Sequence, residues 1–511
     1  MKLILSISIF FLFAVQNTLF AQANIDEIRT ELIQINSKTS ELQGLVLDKN
    51  KQVVLPFTNI VFLHKNNGTI SNENGYFTVN SGLLNQTDTI SIQYMGYKNF
   101  NITLADFRKN PVIYLEENIF SLNEIFVFGT EPNAEEIIEN IIEQKDKNYK
   151  SLNTKTKVFI RQRDVDDINS FSLKFKKSSF KSINKKINKL IEKQLPKHSS
   201  SFTDFLGYLY QQEKGLDTIN IKIKPIQMVA LKGEEIDYTQ LESIFEKLFN
   251  NTDEKEYWKI KSGLLSTKIE INEEDSVLAD SVKLKDNEMH LYSYQYNIEN
   301  AYNYITFKDE SQWEFLYKTG RYNYSIVGGT MVDGEEVYII DFEPDGSGMY
   351  KGRVFVSITT NALIRADYEY APNKSGTNVH LLGVAYNENK FKASIYFEKK
   401  EDVYRLKYFS LKQGIVVGVN RDIALIKKKE RFLFDKKLHE YKVRLKMKQT
   451  SEQYIEMLVL DENKITTKQY KNYIPKEKMQ VLYVKQFDDN LWNDFSIIAP
   501  TKQMKDYRNI E

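Results

Sequence analysis

From residue 41 onward, apolar positions come in short runs broken by Gly, Asn, Asp and Pro. Gly44–Asp48, Pro56–Phe62, Tyr76–Val79, Asp88–Tyr94 and Val112–Leu115 read as strands. Ile90, Ile92 and Tyr94 alternate with polar neighbours, the period-two pattern of a half-buried strand. Lys49–Lys51, Asn66–Thr69 and Asn72–Gly75 supply turns, because Gly and Asn tolerate positive φ. Met95–Tyr97 bends the fifth run. Short strands with regular turns predict an all-β sandwich over residues 41–117. Residues 24–40 before it read as a polar linker or short helix.

The period changes next. Ala134, Ile137, Ile138, Ile141 and Ile142 fall at helical spacing behind the N-cap candidate Asn133. Residues 118–150 are read as a connecting helix preceded by Leu122–Val127, which resembles the exit strand that follows such sandwiches in a known domain family. Residues 151–256 read as a mixed helical region. Within it, Leu241, Ile244, Phe245 and Leu248 share one face of Tyr238–Asn250. Residues 257–460 read as antiparallel strands: Tyr322–Ile326, Val337–Phe342, Arg353–Ile358, Leu363–Tyr370, Val379–Tyr386, Phe391–Glu398, Val403–Leu411 and Gly414–Lys427. Asp333-Gly334 is a two-residue hairpin turn. Residues 461–511 are a polar C-terminal tail. The expected class is α+β. An N-terminal β-sandwich of the prealbumin/transthyretin-like type is joined by a helix to a larger domain with a curved antiparallel sheet and flanking helices.

Residues 174–197 carry nine lysines against the single acid Glu192. Ile183, Ile187, Leu190, Ile191 and Leu195 make an apolar stripe. Two readings fit. One is a membrane-surface helix whose Lys185, Lys186 and Lys189 meet anionic headgroups. The other is a domain helix with a solvated basic face.

Met1–Ala23 has the form of a secretory signal: Lys2, an apolar run from Leu3 to Val15, and the small residues of Ala21-Gln22-Ala23. That run is about 13 residues, short of the roughly 20 a membrane-spanning helix needs. An exported chain of the periplasm or outer membrane is expected. Cysteine is absent, which excludes disulfides, Cys-zinc sites and a lipoprotein anchor. Seventy Lys and Arg against sixty-nine Asp and Glu give a net charge of +1, with no footprint for nucleic acid.

Five pieces of the 41–117 region stand in a recognisable order: Gly44…Asp48, Leu55-Pro56-Phe57-Thr58-Asn59-Ile60, Gly68-Thr69, Asn74-Gly75-Tyr76-Phe77 and Tyr94-Met95-Gly96-Tyr97. This series resembles the carboxypeptidase-like regulatory domain, common in the Bacteroidetes cell envelope. The resemblance implies a β-sandwich and not a peptidase. The five histidines, His64, His198, His290, His380 and His439, begin no zinc-protease pattern. Further on, Val337-Tyr338-Ile339-Ile340, Tyr350–Val356 and Thr360–Arg365 look like the sheet of LolA/LolB-like outer-membrane lipoprotein-sorting proteins. That resemblance implies a half-open barrel sheltering acyl chains. Tyr324, Tyr338, Phe342, Phe355 and Tyr368 either line such a concavity or fill a core.

No nucleophile elbow, P-loop or dinucleotide fingerprint is present. Asp164, Asp166 and Asp167 lack the calcium-loop spacing and read as a charged loop. No catalytic, cofactor or metal residue is assigned. The expected function is a non-enzymatic binding or scaffold protein on the periplasmic side of the outer membrane. Its expected partner is an envelope protein or an apolar ligand, with a possible peripheral membrane contact. Carriage of a lipid, and hydrolysis at an unrecognised site, stand as alternatives.

Overall fold

The computed structural model describes residues 25–507, apart from 64–66, 121–131, 151, 181–182, 213–219, most of 232–254, 264, 270–286, 309, 493–494 and 496. The signal segment, the exit strand Leu122–Val127 and most of Tyr238–Asn250 lie outside the described residues.

The first domain is a sandwich of two sheets. β1 (Glu41–Asp48) lies between β4 (Tyr76–Asn80) and β7 (Val112–Leu115). β2 (Asn59–Phe62), β3 (Asn67–Ile70), β5 (Thr89–Gln93) and β6 (Phe100–Thr103) form the other sheet, in the order β3-β2-β5-β6. Leu42, Val46, Ile60, Phe77, Val79, Ile90 and Ile92 fill the space between them. Gly68 and Thr69 stand in β3 rather than in a turn. The motif residues hold the domain together. Asp48 accepts the backbone N–H of Asn50 and Lys51 through one carboxylate oxygen and the Tyr97 hydroxyl through the other, at 2.6–2.7 Å. A Cβ on Gly44 would sit 2.5 Å from the Phe77 ring, which stacks on Phe107 with centroids 5.3 Å apart. Of the two readings for 24–40, the short helix is the one formed, over 25–38. Its Asn36 side chain exchanges two hydrogen bonds with the backbone of Gln43.

The second domain is built on one fourteen-stranded sheet. β8 (Thr154–Ser178), β9 (His198–Gln212) and β10 (Asn220–Leu231) form its first part. β11 (Glu256–Ser262) and β12 (Leu265–Ile269) make a hairpin on its flank, while β13 (Glu288–His290) pairs elsewhere. β14 (Tyr322–Val332), β15 (Glu335–Pro344), β16 (Tyr350–Ser357), β17 (Leu363–Tyr370), β18 (Asn378–Leu381), β19 (Val384–Lys400), β20 (Val403–Lys429) and β21 (Lys436–Lys464) follow as hairpins. The short β22 (Lys478–Gln480) pairs with β13. β23 (Leu482–Val484) joins the large sheet parallel to β10. β8 lies between β21 and β9, so the first and last long strands of the domain pair directly.

Several expectations are corrected. The described part of 151–256 is largely strand: β9 and its neighbours are covered on both faces, so Phe205-Leu206-Gly207-Tyr208-Leu209-Tyr210 reads as an unbroken apolar run that periodicity cannot assign. Residues 257–460 contain the helix Leu291–Asn303. Its buried Leu291, Tyr294, Ile298, Ala301 and Tyr302 carry a helical spacing that the sequence reading passed over. Val379–Tyr386 is not one strand: Leu382 and Gly383 reverse the chain at φ of 50° and 79°. Val403–Leu411 and Gly414–Lys427 are a single strand. Asp164, Asp166 and Asp167 stand in β8, not in a loop. Asp333 and Gly334 do form the expected turn, both at positive φ.

The polar tail is also corrected. Trp492, Ile497, Ile498 and Ala499 are buried. Residues 497–501 run as a strap between the sandwich and the sheet. On one side Thr69 Oγ1 donates to the Ile497 carbonyl (2.7 Å) and Asn72 Nδ2 to that of Ala499 (3.2 Å). On the other, Arg161 Nη1 donates to the carbonyls of Ile498 and Ala499, each at 2.8 Å. The same guanidinium makes a two-pronged pair with Asp204, both contacts 2.7 Å. Arg163–Glu73 (3.2 Å) and Phe57–Tyr408 (centroids 5.0 Å) join sandwich to sheet directly.

Glu456 lies opposite Arg161 in the β8–β21 ladder and is fully buried. Burial pushes its carboxyl up to about 7, against the pull of Arg161 and of the Tyr408 hydroxyl at 2.8 Å.

Two predictions follow from this junction. Arg161→Met strands the Asp204 carboxylate in the interior, and urea unfolding shows a loss of about 3–5 kcal/mol. Much of that loss returns in the double variant Arg161→Met/Asp204→Leu; equal instability of the single and double variants refutes the assignment. Glu456 binds its proton more tightly folded than unfolded. Its contribution is therefore complete below the unfolded value near 4.5 and disappears as pH rises through about 7. Urea midpoints across that window fall by the equivalent of about 3 kcal/mol in the native chain, and the fall is absent in Glu456→Gln.

Candidate functional site

The two faces of the large sheet are covered by different things. Arg161, Asp204, Glu456, Tyr408, Arg365 and Ile339 point toward the sandwich and strap. Arg365 lies over the Tyr94 ring at 4.9 Å. The other face carries Ile160, Phe205, Ile455, Met457 and Phe409. It is covered by the helices Ala134–Glu143, Leu291–Asn303 and Glu314–Tyr317, whose Ile137, Ile138, Ile141, Ile298 and Phe315 join one core with it. Asn133 caps the first of these helices by accepting the Glu135 N–H.

The five aromatics read as lining a concavity or filling a core do not all lie on one face. Tyr324, Phe342 and Tyr368 share the helix-covered face: Tyr324 pairs with Phe342, and Gly352 pairs with both Phe342 and Tyr368. Tyr338, two pleats from Phe342, is on that face as well. Phe355 pairs with Ile339 and Arg365 and so faces the other way. Nor is the concavity open at this point. Phe315 stacks on Phe342 with centroids 4.3 Å apart and meets Tyr368 at 4.9 Å. Trp313 lies 5.8 Å from Tyr368 and donates from Nε1 to the Thr306 carbonyl (2.9 Å). Tyr324 donates its hydroxyl to the Phe315 carbonyl at 2.5 Å. These rings are a filled core.

Among the described residues, two clefts on this face meet at the stretch from Ala301 to Lys308. The first has a volume of about 510 Å³ and a lining rich in amides: Gln162, Asn297, Asn300, Asn303, Gln312, Gln413 and Gln453. Gln413 donates to the Tyr304 hydroxyl (2.7 Å), while Gln162 and Gln453 both donate to Asp164 (2.8 and 2.9 Å). The second, about 400 Å³, is lined by Tyr149, Tyr302, Ile305, Phe307, Phe397, Leu406 and Val459, with Lys145, Arg405, Glu310 and Glu462 among them. Lys308 borders both. Tyr149 is fixed by its bond to the Leu363 carbonyl (2.7 Å), and burial holds its hydroxyl well above the usual phenol range. Tyr404 is buried, and burial together with its bond to Glu335 at 2.6 Å pushes its hydroxyl up to about 12. Such hydroxyls stay protonated at neutral pH and act as donors. The first cleft can satisfy a ligand rich in hydrogen-bonding groups, and the second can shelter an apolar group beside cations. The sequence reading found neither, because their linings come from five separated stretches.

Lys185, Lys186 and Lys189 are exposed on the helix Lys185–Gln194. The apolar stripe beneath them is used in packing: Ile183 and Ile187 are buried with Trp258, against Leu425 and Tyr441. Lys174, Lys176 and Lys177 belong to β8 instead. Among the described histidines, His198 lies 2.7 Å from Asp167 and His439 packs on Phe180. Among the described residues no group of three His, Asp or Glu side chains is placed to hold a metal ion. No described helix is long and apolar enough to cross a membrane.

No curated protein matches the chain. Among solved structures, a LolA superfamily protein from Nitrosomonas europaea aligns at 10% identity over 66% of this chain and 97% of its own, with a TM-score of 0.16. A DUF1329 family protein from Desulfovibrio piger aligns at 10% over 66% and 95%, TM-score 0.18. The MucA/MucB complex of Pseudomonas aeruginosa aligns at 9% over 66% and 100%, TM-score 0.16. Residues 42–127 match the family model of the CarboxypepD_reg-like domain. The sandwich that strap and buried arginine hold against the large sheet is thus the part of the chain similar to that domain.

Proposed function

We propose that this chain is a non-enzymatic binding and scaffold protein of the cell envelope, exported and working on the periplasmic side of the outer membrane. The observation that carries the reading is the filled face of the sheet. A dedicated lipid carrier needs an open apolar concavity, and here Trp313 and Phe315 occupy its centre. What stays open beside them is the amide-lined cleft, whose donors and acceptors match the needs of a peptide segment of a protein partner. The signal-like segment Met1–Ala23 and the regulatory-like sandwich support an envelope location. Glu456, the carboxyl most raised by burial, is sealed under the sandwich rather than set in either cleft, which supports a structural role for it over a catalytic one.

The second cleft favours the runner-up, carriage of an apolar ligand, because Ile305, Phe307, Phe397 and Leu406 would surround its apolar part.

Purification of the chain from its native envelope, followed by native mass spectrometry, separates the two. The expected result is a complex with a second protein. Asn300→Trp, which fills the amide cleft, lowers recovery of that complex about tenfold. A stoichiometric extra mass released by organic solvent, and lost in Ile305→Trp, overturns the scaffold reading in favour of the carrier.

A further inference from the structure

The two longest strands of the molecule run side by side and end in an apolar turn. β20 has 27 residues and β21 has 29. Their ladder runs from Tyr408↔Leu458 out to Lys429↔Lys436. At about 3.3 Å per residue each strand traces on the order of 90 Å. The main core occupies only the inner half, and a smaller cluster of Ile183, Ile187 and Trp258 packs against Leu425 and Tyr441 further out. β8 leaves the pair at Ser178, opposite Tyr441, and β11 reaches only as far as Lys429. The base of the turn is still held from the β11 side, where the Glu430 N–H donates to the Lys255 carbonyl (2.8 Å), but its three central residues project past the described strands. The turn presents Phe432, Leu433 and Phe434 at 102%, 78% and 86% exposure. Three consecutive large apolar side chains in water are unfavourable for an isolated protein, and nothing in folding requires them there.

The surroundings of this tip are cationic. Lys428, Lys429, Arg431, Lys436 and Lys437 flank it in sequence. The two acids nearest the tip are already engaged. Glu430 is paired with Lys268 at 3.0 Å, and Asp435 accepts the Tyr257 hydroxyl at 2.5 Å, which holds its carboxyl below the ordinary range. Lys429 lies 3.9 Å from Glu256 and Lys437 2.7 Å from Glu440, and further down the arm Lys177 and Lys442 pair with Glu440 (2.8 Å) and Asp422 (3.0 Å), while Lys185, Lys186 and Lys189 are exposed. An apolar point within a collar of lysine and arginine matches one surface chemistry: acyl chains beneath a layer of anionic headgroups.

We infer that the 430–435 turn is a membrane anchor, whose Phe432, Leu433 and Phe434 insert into the interfacial region of an anionic bilayer while the flanking cations engage its headgroups. The contact is made by a hairpin tip. The helix Lys185–Gln194, whose apolar stripe is buried against Trp258 and Leu425, adds only its cations. This anchoring is independent of the partner proposed above. It is tested on the purified chain alone, so a failure of one leaves the other standing.

The test is flotation of the mature chain with phosphatidylethanolamine–phosphatidylglycerol vesicles and with phosphatidylcholine vesicles. Binding is expected to the anionic vesicles and to weaken with salt. The variant Phe432→Ser/Leu433→Ser/Phe434→Ser removes only solvent-exposed side chains and leaves the urea midpoint unchanged, yet lowers vesicle binding more than about tenfold. Arg431→Glu/Lys436→Glu lowers it about tenfold or more. In Leu433→Trp the indole emission shifts to the blue on adding anionic vesicles and is quenched by brominated acyl chains. The inference is overturned if the triple-serine variant floats like the native chain, if Leu433→Trp emission does not move, or if no vesicle binds. It is equally overturned if Lys185→Glu/Lys186→Glu/Lys189→Glu abolishes flotation while the triple-serine variant does not.

Discussion

Arg161 has to be neutralised where water cannot reach it, and much of the molecule is arranged around that requirement. A guanidinium offers five donors, and here they are divided between the Asp204 carboxylate and the carbonyls of Ile498 and Ala499. Asp204 comes from the neighbouring strand and the carbonyls from the chain's last segment. Those carbonyls would otherwise be buried with one hydrogen bond or none. The sandwich adds Thr69 and Asn72 to the same strap, so one five-residue stretch satisfies polar groups on both bodies. Hydrophobic contact alone would leave the two domains free to slide. A buried cation with fixed donor directions sets one register between them.

Glu456 introduces a tension at the same place. It lies close enough to Arg161 to be drawn toward ionisation, but its burial resists this, and Asp204 already balances the guanidinium. Neutral, it is a donor or acceptor for the Tyr408 hydroxyl; charged, it is an excess anion under a domain interface. The site therefore works best where the strap, the pair and a protonated Glu456 coexist.

The sequence made local structure legible wherever one face of an element meets water. Asn59–Phe62 shows this with its alternating burial, the Ala134–Glu143 helix with apolar residues at helical spacing, and the Asp333-Gly334 turn with its paired positive φ. The reading failed where both faces are covered, as in β9, and where a strand leaves the core and becomes polar, as in the outer parts of β8 and β21. It failed again where pairing is remote: no local pattern announces that Thr154 lies beside Lys464. The grouping of the five aromatics needed the pleat parity that puts Phe355 on the opposite face. Neither cleft had a local signature, since each gathers residues hundreds of positions apart. The exposed tip did have one, three apolar residues set in a charged turn, but it is short and stands beside the more conspicuous lysine-rich helix.

The strap also constrains the order in which the protein can be assembled. The sandwich, with its own core and turns, is complete once residue 115 has emerged. Residues 497–501, which fill the seam between it and the sheet, follow almost four hundred positions later. Until they arrive, Arg161 lacks two of its acceptors, and Thr69 and Asn72 face an empty gap. A chain made from its N-terminus can therefore close this seam only after the long strands of the sheet have been made. A defect in the last residues would then show as a loosened first domain.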